Sequence, residues 1–161
     1  MIRLEKITWE NYSSCIGIKL SEHQKAFMAD NALSLIHAYV SLANDEYPWL
    51  PYALYFDDTV IGFAMIIYEP EDAERDYSNK DSFYIICRFM IAEEHQGKGY
   101  GKAALLQLIE LIKTFPCGVA KVIELSYNHE NTAARNLFLS VGFAETGEND
   151  DDGCAIAKLV L

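Results

Sequence analysis

Apolar residues in this chain recur at two spacings, one of two residues and one near three to four, and the switches between them mark the elements. Ile2, Leu4 and Ile7 alternate with polar neighbours, so residues 2–8 are predicted as a first strand. Asn11 offers an N-cap for a short helix over 12–18. Over 23–43, Phe27, Leu33, Leu35, Ile36, Tyr39, Val40 and Leu42 follow a helical spacing and predict a second helical stretch. Tyr47-Pro48-Trp49-Leu50-Pro51 breaks it, because proline lacks an N–H and restricts the residue before it. Residues 52–56 and 59–68 read as two strands around a tight turn at Asp57-Asp58. Gly62 inside the second predicts a bulge or a close packing contact.

An acidic, loop-like stretch follows from Glu69 to Asp76 and continues through Asn79-Lys80-Asp81. Strand character returns over 82–91, and a helix is predicted over 100–114 with Leu105, Leu108, Ile109 and Ile112 on one face. Pro116-Cys117-Gly118 ends it. A fifth strand covers 119–127, and a helix over 131–141 is closed by Gly142 as its C-terminal cap. Two strands, 143–146 and 154–160, flank an acidic turn at Glu148 to Asp152. This order predicts an α/β fold, a mixed and largely antiparallel sheet flanked by helices on both faces. The strand–helix–strand unit at 82–127 is expected to be a right-handed parallel crossover.

Composition narrows the function classes. A chain of 161 residues, 51% of them hydrophobic, is expected to form a single domain over 1–161. No apolar run reaches the roughly 18 residues that span a bilayer, and no signal-peptide core follows Met1, so a soluble cytoplasmic protein is expected. Cys15, Cys87, Cys117 and Cys154 are far apart and form no Cys-x-x-Cys pair, so neither a metal site nor a redox motif is expected. The net charge of −11 disfavours nucleic acid as a partner and favours a small cation.

The chemistry concentrates between Arg88 and Lys102. A strand runs into Gln96-Gly97-Lys98-Gly99-Tyr100-Gly101, and a helix follows. Glycines there allow positive φ and close approach, and the helix start adds unpaired N–H groups and partial positive charge, together an anion cradle. The spacing matches neither Gly-x-x-x-x-Gly-Lys-Ser/Thr nor Gly-x-Gly-x-x-Gly. It does match Gln/Arg-x-x-Gly-x-Gly/Ala through Gln96, Gly99 and Gly101. A second motif, Asn131-x-x-Ala134-x-x-Leu137-Phe138-x-x-x-Gly142-Phe143, lies about 30 residues on.

On these two motifs the chain resembles the GNAT (GCN5-related) N-acetyltransferase superfamily. Gly62-Phe63-Ala64-Met65, Arg88-Phe89-Met90-Ile91 and Ser126-Tyr127 with Glu130-Asn131 make it most similar to bacterial diamine and polyamine acetyltransferases. The resemblance implies transfer of acetyl from acetyl-CoA, a cosubstrate needing no metal, to a primary amine such as spermidine or spermine. Acetylation of a protein, peptide or other small amine stays open, as does a weakly active acyl-CoA-binding module. It implies pyrophosphate on the amides of Gln96, Gly97, Lys98, Gly99, Tyr100, Gly101 and Lys102. Pantetheine would lie along Phe89, Met90 and Ile91, with Asn131 and Phe138 beside it. Dimers are common in the family, so a homodimer is a further expectation.

One position departs from the family. Its usual tyrosine, the proton donor to the departing thiolate, is Phe138 here. Tyr127, Tyr100 or water would then substitute, Tyr127 being the choice because it ends the strand bordering the acetyl site. Glu69, Glu71, Asp72 and Glu124 are candidate carboxylates for cation recognition or base catalysis, with Glu69 and Glu71 preferred. His95 and His129 flank the motifs without an assigned role.

Overall fold

The structure, a computed structural model, describes residues 1–71 and 81–161. Among them, seven strands form one sheet: β1 (Ile2–Lys6), β2 (Trp49–Phe56), β3 (Thr59–Glu69), β4 (Phe83–Ile91), β5 (Val122–Tyr127), β6 (Ala144–Asn149) and β7 (Ala155–Val160). Their order across the sheet is β1-β2-β3-β4-β5-β7-β6. Each neighbouring pair is antiparallel except β4–β5, which is parallel and joined through a helix. The mixed, largely antiparallel sheet is therefore as expected.

Pleating explains the two cores, because successive side chains on a strand point to opposite faces. Tyr52 and Leu54 of β2 and Ala64 and Ile66 of β3 pack with the buried face of α4 (Tyr100–Ile112), which is Ala104, Leu105, Leu108, Ile109 and Ile112. Their neighbours Ala53, Phe63 and Met65 pack on the other face with Cys15 of α1 (Tyr12–Ile16) and Met90 of β4. Helices thus cover both faces. Among the described residues no helix is long and apolar enough to cross a membrane.

The helical stretch expected over 23–43 is two helices, α2 (Glu22–Lys25) and α3 (Asn31–Ala43). Caps decide this. Ser21 and Gln24 form a reciprocal capping box that starts α2, and the Asp30 carboxylate accepts from the N–H groups of Ala32 and Leu33 to start α3 anew. Of the apolar residues of α3, Leu35 and Ala38 pack on the core, but most of the others face outward. Leu33, Ile36, Tyr39, Val40 and Leu42 are exposed, while Asn31, Ser34 and Ser41 are buried.

Other boundaries moved for local reasons. The first strand stops at Lys6 and α1 at Ile16, each two residues short of expectation. β2 starts at Trp49 and includes Pro51, which sits one residue beyond the last β1 pairing, Lys6 with Tyr52, where the ladder is one-sided. β5 starts at Val122 because the connection before it is held by the buried Tyr84 hydroxyl, which accepts from the N–H groups of Cys117 and Gly118. The helix α5 (Thr132–Leu139) ends before Gly142, which instead turns the chain into β6 with φ +107.

Two irregularities shape the middle of the sheet. Gly62 meets both readings of its sequence: the β2–β3 register shifts beside it, and a Cβ there would lie 2.3 Å from the Met90 carbonyl oxygen. A second shift, between Met65 and Ile66, leaves Cys87 as the extra residue on β4. Bulges bend and twist a strand locally. Just before it, β4 and β5 pair through Phe83–Val122, Tyr84–Ile123 and Ile85–Glu124. Beyond Ile85 the two parallel strands part, and the wedge between them opens toward the glycine loop.

Candidate functional site

At the open end of that wedge lies a cleft of about 280 Å³. Phe89, Met90 and Ile91 from β4, Gln96, Gly97 and Gly101 from the loop, and Asn131, Ala134, Leu137 and Phe138 from α5 and its cap all line it. The two sequence motifs therefore meet around one space. Lys98, Gly99, Tyr100 and Lys102 stand outside its lining.

The loop is built for close approach. Gly97 and Gly99 take φ +72 and +81, and a Cβ on either would meet nothing within 4 Å. Gly99 is the N-cap of α4. Among the described residues, no side chain or carbonyl accepts from the N–H groups of residues 97–102. Six donors without a protein acceptor, in a loop open above Gly97 and Gly99 and leading into a helix, fit a diphosphate. Gly101 forms the floor, where a Cβ would lie 3.7 Å from both Ile91 and Leu137.

Side chains hold the loop rather than fill it. Gln96 donates to the Ile91 carbonyl at 2.8 Å and shares two amide hydrogen bonds with Gln24 of α2. Lys98 reaches back to the Glu94 carbonyl at 2.8 Å. Tyr100 stacks on Phe56 at 4.5 Å, away from the cleft, so its hydroxyl is not placed to protonate a thiolate there. The Asn131 side chain accepts from the Ala134 N–H at 3.1 Å as an N-cap while also lining the cleft.

Tyr127 is placed differently from its expected role. It does not line the cleft but packs on Phe138, ring to ring at 5.8 Å. Its hydroxyl already donates to Glu145 at 2.6 Å, and burial plus that carboxylate push its pKa up to about 12. A phenol so committed is a poor proton donor. Glu145 is gripped in turn by Arg135, Nε at 2.7 Å and Nη2 at 2.9 Å, and these bonds with the Tyr127 hydroxyl lower its carboxyl to about 2.

The expected carboxylates also lie elsewhere. Glu69 is buried rather than solvated, and it pairs with Phe83 at the far end of β4 from Ile91. Glu71 lies beside Ser82 and Lys121 at that same far end. Asp72 falls outside the described residues. Glu124 faces Lys158 at 3.1 Å, and His129 faces Asn149. Among the described residues no titratable side chain lines the cleft, and no three His, Cys, Asp or Glu group to hold a metal ion. Burial pushes the Cys15 and Cys87 thiols up to about 11 and about 12, so neither is a nucleophile near neutrality.

Sequence reasoning missed Leu20, Gln24, Met28 and Ala133 in the lining. Only Gln24 carried a signal, as the fourth residue of Ser21-x-x-Gln24, and that pattern announces a helix start rather than a site.

A family model described as the acetyltransferase (GNAT) family matches residues 2–143. The chain is similar to the spermine/spermidine N(1)-acetyltransferase of Bacillus subtilis (strain 168), 31% identical over 153 residues that cover 94% of this chain and 93% of that protein. It is similar in fold to the aminoglycoside acetyltransferase AAC(6')-Ib in complex with coenzyme A and kanamycin, with a TM-score of 0.77 at 18% identity over 99% of this chain and 95% of that one. It is likewise similar to the PaiA N-acetyltransferase of Thermoplasma acidophilum in complex with coenzyme A, with a TM-score of 0.69 at 15% identity over 100% of this chain and 99% of that one.

Proposed function

The chain belongs to the acetyltransferase (GNAT) family and is an acetyl-CoA-dependent N-acetyltransferase, and from that premise we propose that its acceptor is a polyamine. The 31% identity to a spermine/spermidine acetyltransferase, over 94% of this chain and 93% of that protein, carries this choice. The net charge of −11 supports it, since a cationic acceptor is drawn to such a surface.

In this reading the N–H groups of residues 97–102 hold the pyrophosphate. The pantetheine arm extends along the edge of β4 that faces β5 and lacks its pairing beyond Ile85. Phe138, Leu137 and Ala134 exclude water from the thioester side, and Asn131 orients the arm through the part of its amide not used in capping. A strand N–H at the splay polarises the thioester carbonyl.

The amine must lose a proton before it attacks. With an ordinary pKa near 10.4, roughly one amine in a few thousand is neutral at pH 7, a deficit of about 4–5 kcal/mol. Among the described residues no side chain lining the cleft titrates, so in this reading the proton leaves through water. The thiolate departs unaided, which its ordinary pKa of about 8.5 permits. Loss of the acid costs on the order of 10²–10⁴-fold in rate, not all of it.

A thiol-release assay across spermine, spermidine, putrescine, an aminoglycoside and an N-terminal peptide tests the acceptor. Polyamines are expected to give the highest kcat/KM. Turnover of the aminoglycoside or peptide alone would overturn this reading.

A further inference from the structure

A second, smaller cavity of about 260 Å³ lies on the α1–α3 side of the sheet. We propose that this cavity, walled by Ile16, Ile18, Leu20, Met28, Asp30 and Asn31, is the acceptor subsite and is shaped for the methylene chain of a linear amine. This rests on the polyamine reading above.

Position is the first argument. The cavity shares Leu20, Met28 and Met90 with the cofactor cleft, so the same three side chains separate the two spaces. Met90 packs in the core on the α1–α3 face, whereas Phe89 and Ile91 on either side of it pack with the α4 face. An acceptor in this cavity therefore approaches β4 from the face opposite α4, beside the strand along which the thioester is placed.

Chemistry is the second. The walls are mostly aliphatic and thioether, and the polar lining is Asp30, Asn31 and Lys25. Asn31 is 5% exposed. Its Nδ2 donates to the Cys15 carbonyl at 2.8 Å and to the Met90 sulfur at 3.3 Å. Its Oδ1 is buried and has no donor among the described residues. A buried acceptor left unmet costs about 1–3 kcal/mol, and native proteins rarely leave one so. An amine N–H is the donor this oxygen lacks. Beside it, Asp30 uses Oδ1 to cap α3, at 2.7 Å from the Ala32 N–H, while its exposed carboxylate keeps a negative charge for a second ammonium. The charge of Lys25 is met by Glu22 at 2.5 Å. Arg88, on the same face, is held by Ser34 and the Cys87 carbonyl and stays out of the lining.

Size is the third. Sites for drug-sized ligands run from about 300 to 1,000 Å³. This cavity, like the cofactor cleft, falls just below that range, a size that suits a linear chain better than a multi-ring amino sugar.

Three variants test the assignment by steady-state kinetics with spermidine and by calorimetry with coenzyme A. Ile16→Trp fills the mouth and is expected to raise the spermidine KM at least about tenfold, the effect of roughly 1.4 kcal/mol. Asp30→Asn keeps a good N-cap and removes the charge, and is expected to raise KM by up to about fivefold, less at high salt. Asn31→Ala is expected to raise KM about tenfold by deleting the acceptor. Coenzyme A affinity should stay within about twofold in all three. If Asn31→Ala fails to fold, the other two decide. An unchanged spermidine KM in Ile16→Trp and Asp30→Asn overturns the subsite. If the wild type acetylates a different amine and no polyamine, only the polyamine reading falls, and the same KM comparison with that amine decides the cavity. No turnover with any amine overturns both.

Discussion

Gln24 and Gln96, 72 residues apart, exchange two side-chain amide hydrogen bonds, Gln24 donating at 2.9 Å and Gln96 donating back at 3.1 Å. Gln96 also donates to Ile91, so one pair of amides ties α2, the glycine loop and the end of β4 together over the cleft. Both N–H donors of the Gln96 side chain are thereby committed within the protein, while the Gln24 amide keeps one for the cleft that it lines. Gln24→Ala should therefore raise the acetyl-CoA KM about five- to tenfold by loosening the loop, since two neutral hydrogen bonds contribute about 1–3 kcal/mol and part is recovered by water. Gln24→Glu, which still accepts from Gln96, should recover part of that loss. An acetyl-CoA KM unaltered in Gln24→Ala would show that the tie does not position the loop.

Gly62 leaves no room for a side chain. A Cβ there would lie 2.3 Å from the Met90 carbonyl oxygen and 3.0 Å from an Ile91 methyl, so either β3 or β4 must shift. Gly62→Ala should destabilise the fold by about 2–3 kcal/mol and lower Tm by roughly 4–12 °C for a chain of this size. Because the displaced strand borders the cleft, coenzyme A affinity should fall with it. Calorimetric unfolding with and without coenzyme A measures both; a Tm within about 1 °C of wild type would refute the packing argument.

Catalysis should have a one-sided pH profile. The cleft has no titratable lining among the described residues, and the Tyr127 phenol is held up at about 12 by burial and Glu145. kcat/KM is expected to rise from pH 6 to 9 as more amine becomes neutral, with no descending limb in that range. Phe138→Tyr places a phenol in the lining and should raise kcat if thiolate departure limits turnover, with a new descending limb near pH 10. A wild-type profile that falls below pH 9 would reveal an acid not identified among these residues.

Acid stability should depend on Glu145. Its folded pKa is lowered to about 2 by Arg135 and the Tyr127 hydroxyl. A depressed carboxyl stabilises the fold fully above its unfolded pKa of about 4.3, and the contribution is lost as pH falls through that value toward 2. Glu145→Gln should be less stable than wild type at pH 6, and the gap should narrow steadily as pH falls toward 2. The pair is partly exposed, so salt should shrink the gap. Urea midpoints at pH 6 and pH 2.5 give the comparison, and a gap as wide at pH 2.5 as at pH 6 would assign the loss to packing.

Much of this protein was legible in its residues. The strand–loop–helix at 83–112 and the motif at 131–143 were readable because glycine φ, helix caps and apolar spacing are local properties, decided within a few residues. Element ends were less legible. Asp30 and Ser21 have the chemistry of caps, yet whether either caps a helix depends on the turn that follows. The inverted face of α3 was not readable at all. Leu33, Ile36, Tyr39, Val40 and Leu42 have helical spacing yet stay exposed, while Asn31, Ser34 and Ser41 turn inward beside Leu35 and Ala38, each of the three polar residues with a hydrogen-bond partner from another part of the chain or a neighbouring turn.

By itself the sequence determined the family, the sheet-and-helix order and the glycine cradle, because each is written in short-range pattern. Only the tertiary structure decided that the Tyr127 hydroxyl donates to Glu145, that Glu69 is buried far from the cleft, and that Gln24, Met28 and Asn31 stand beside it. Those outcomes turn on which strands part after Ile85 and which face each pleat presents. They are relations between residues tens of positions apart, and no local spacing encodes them.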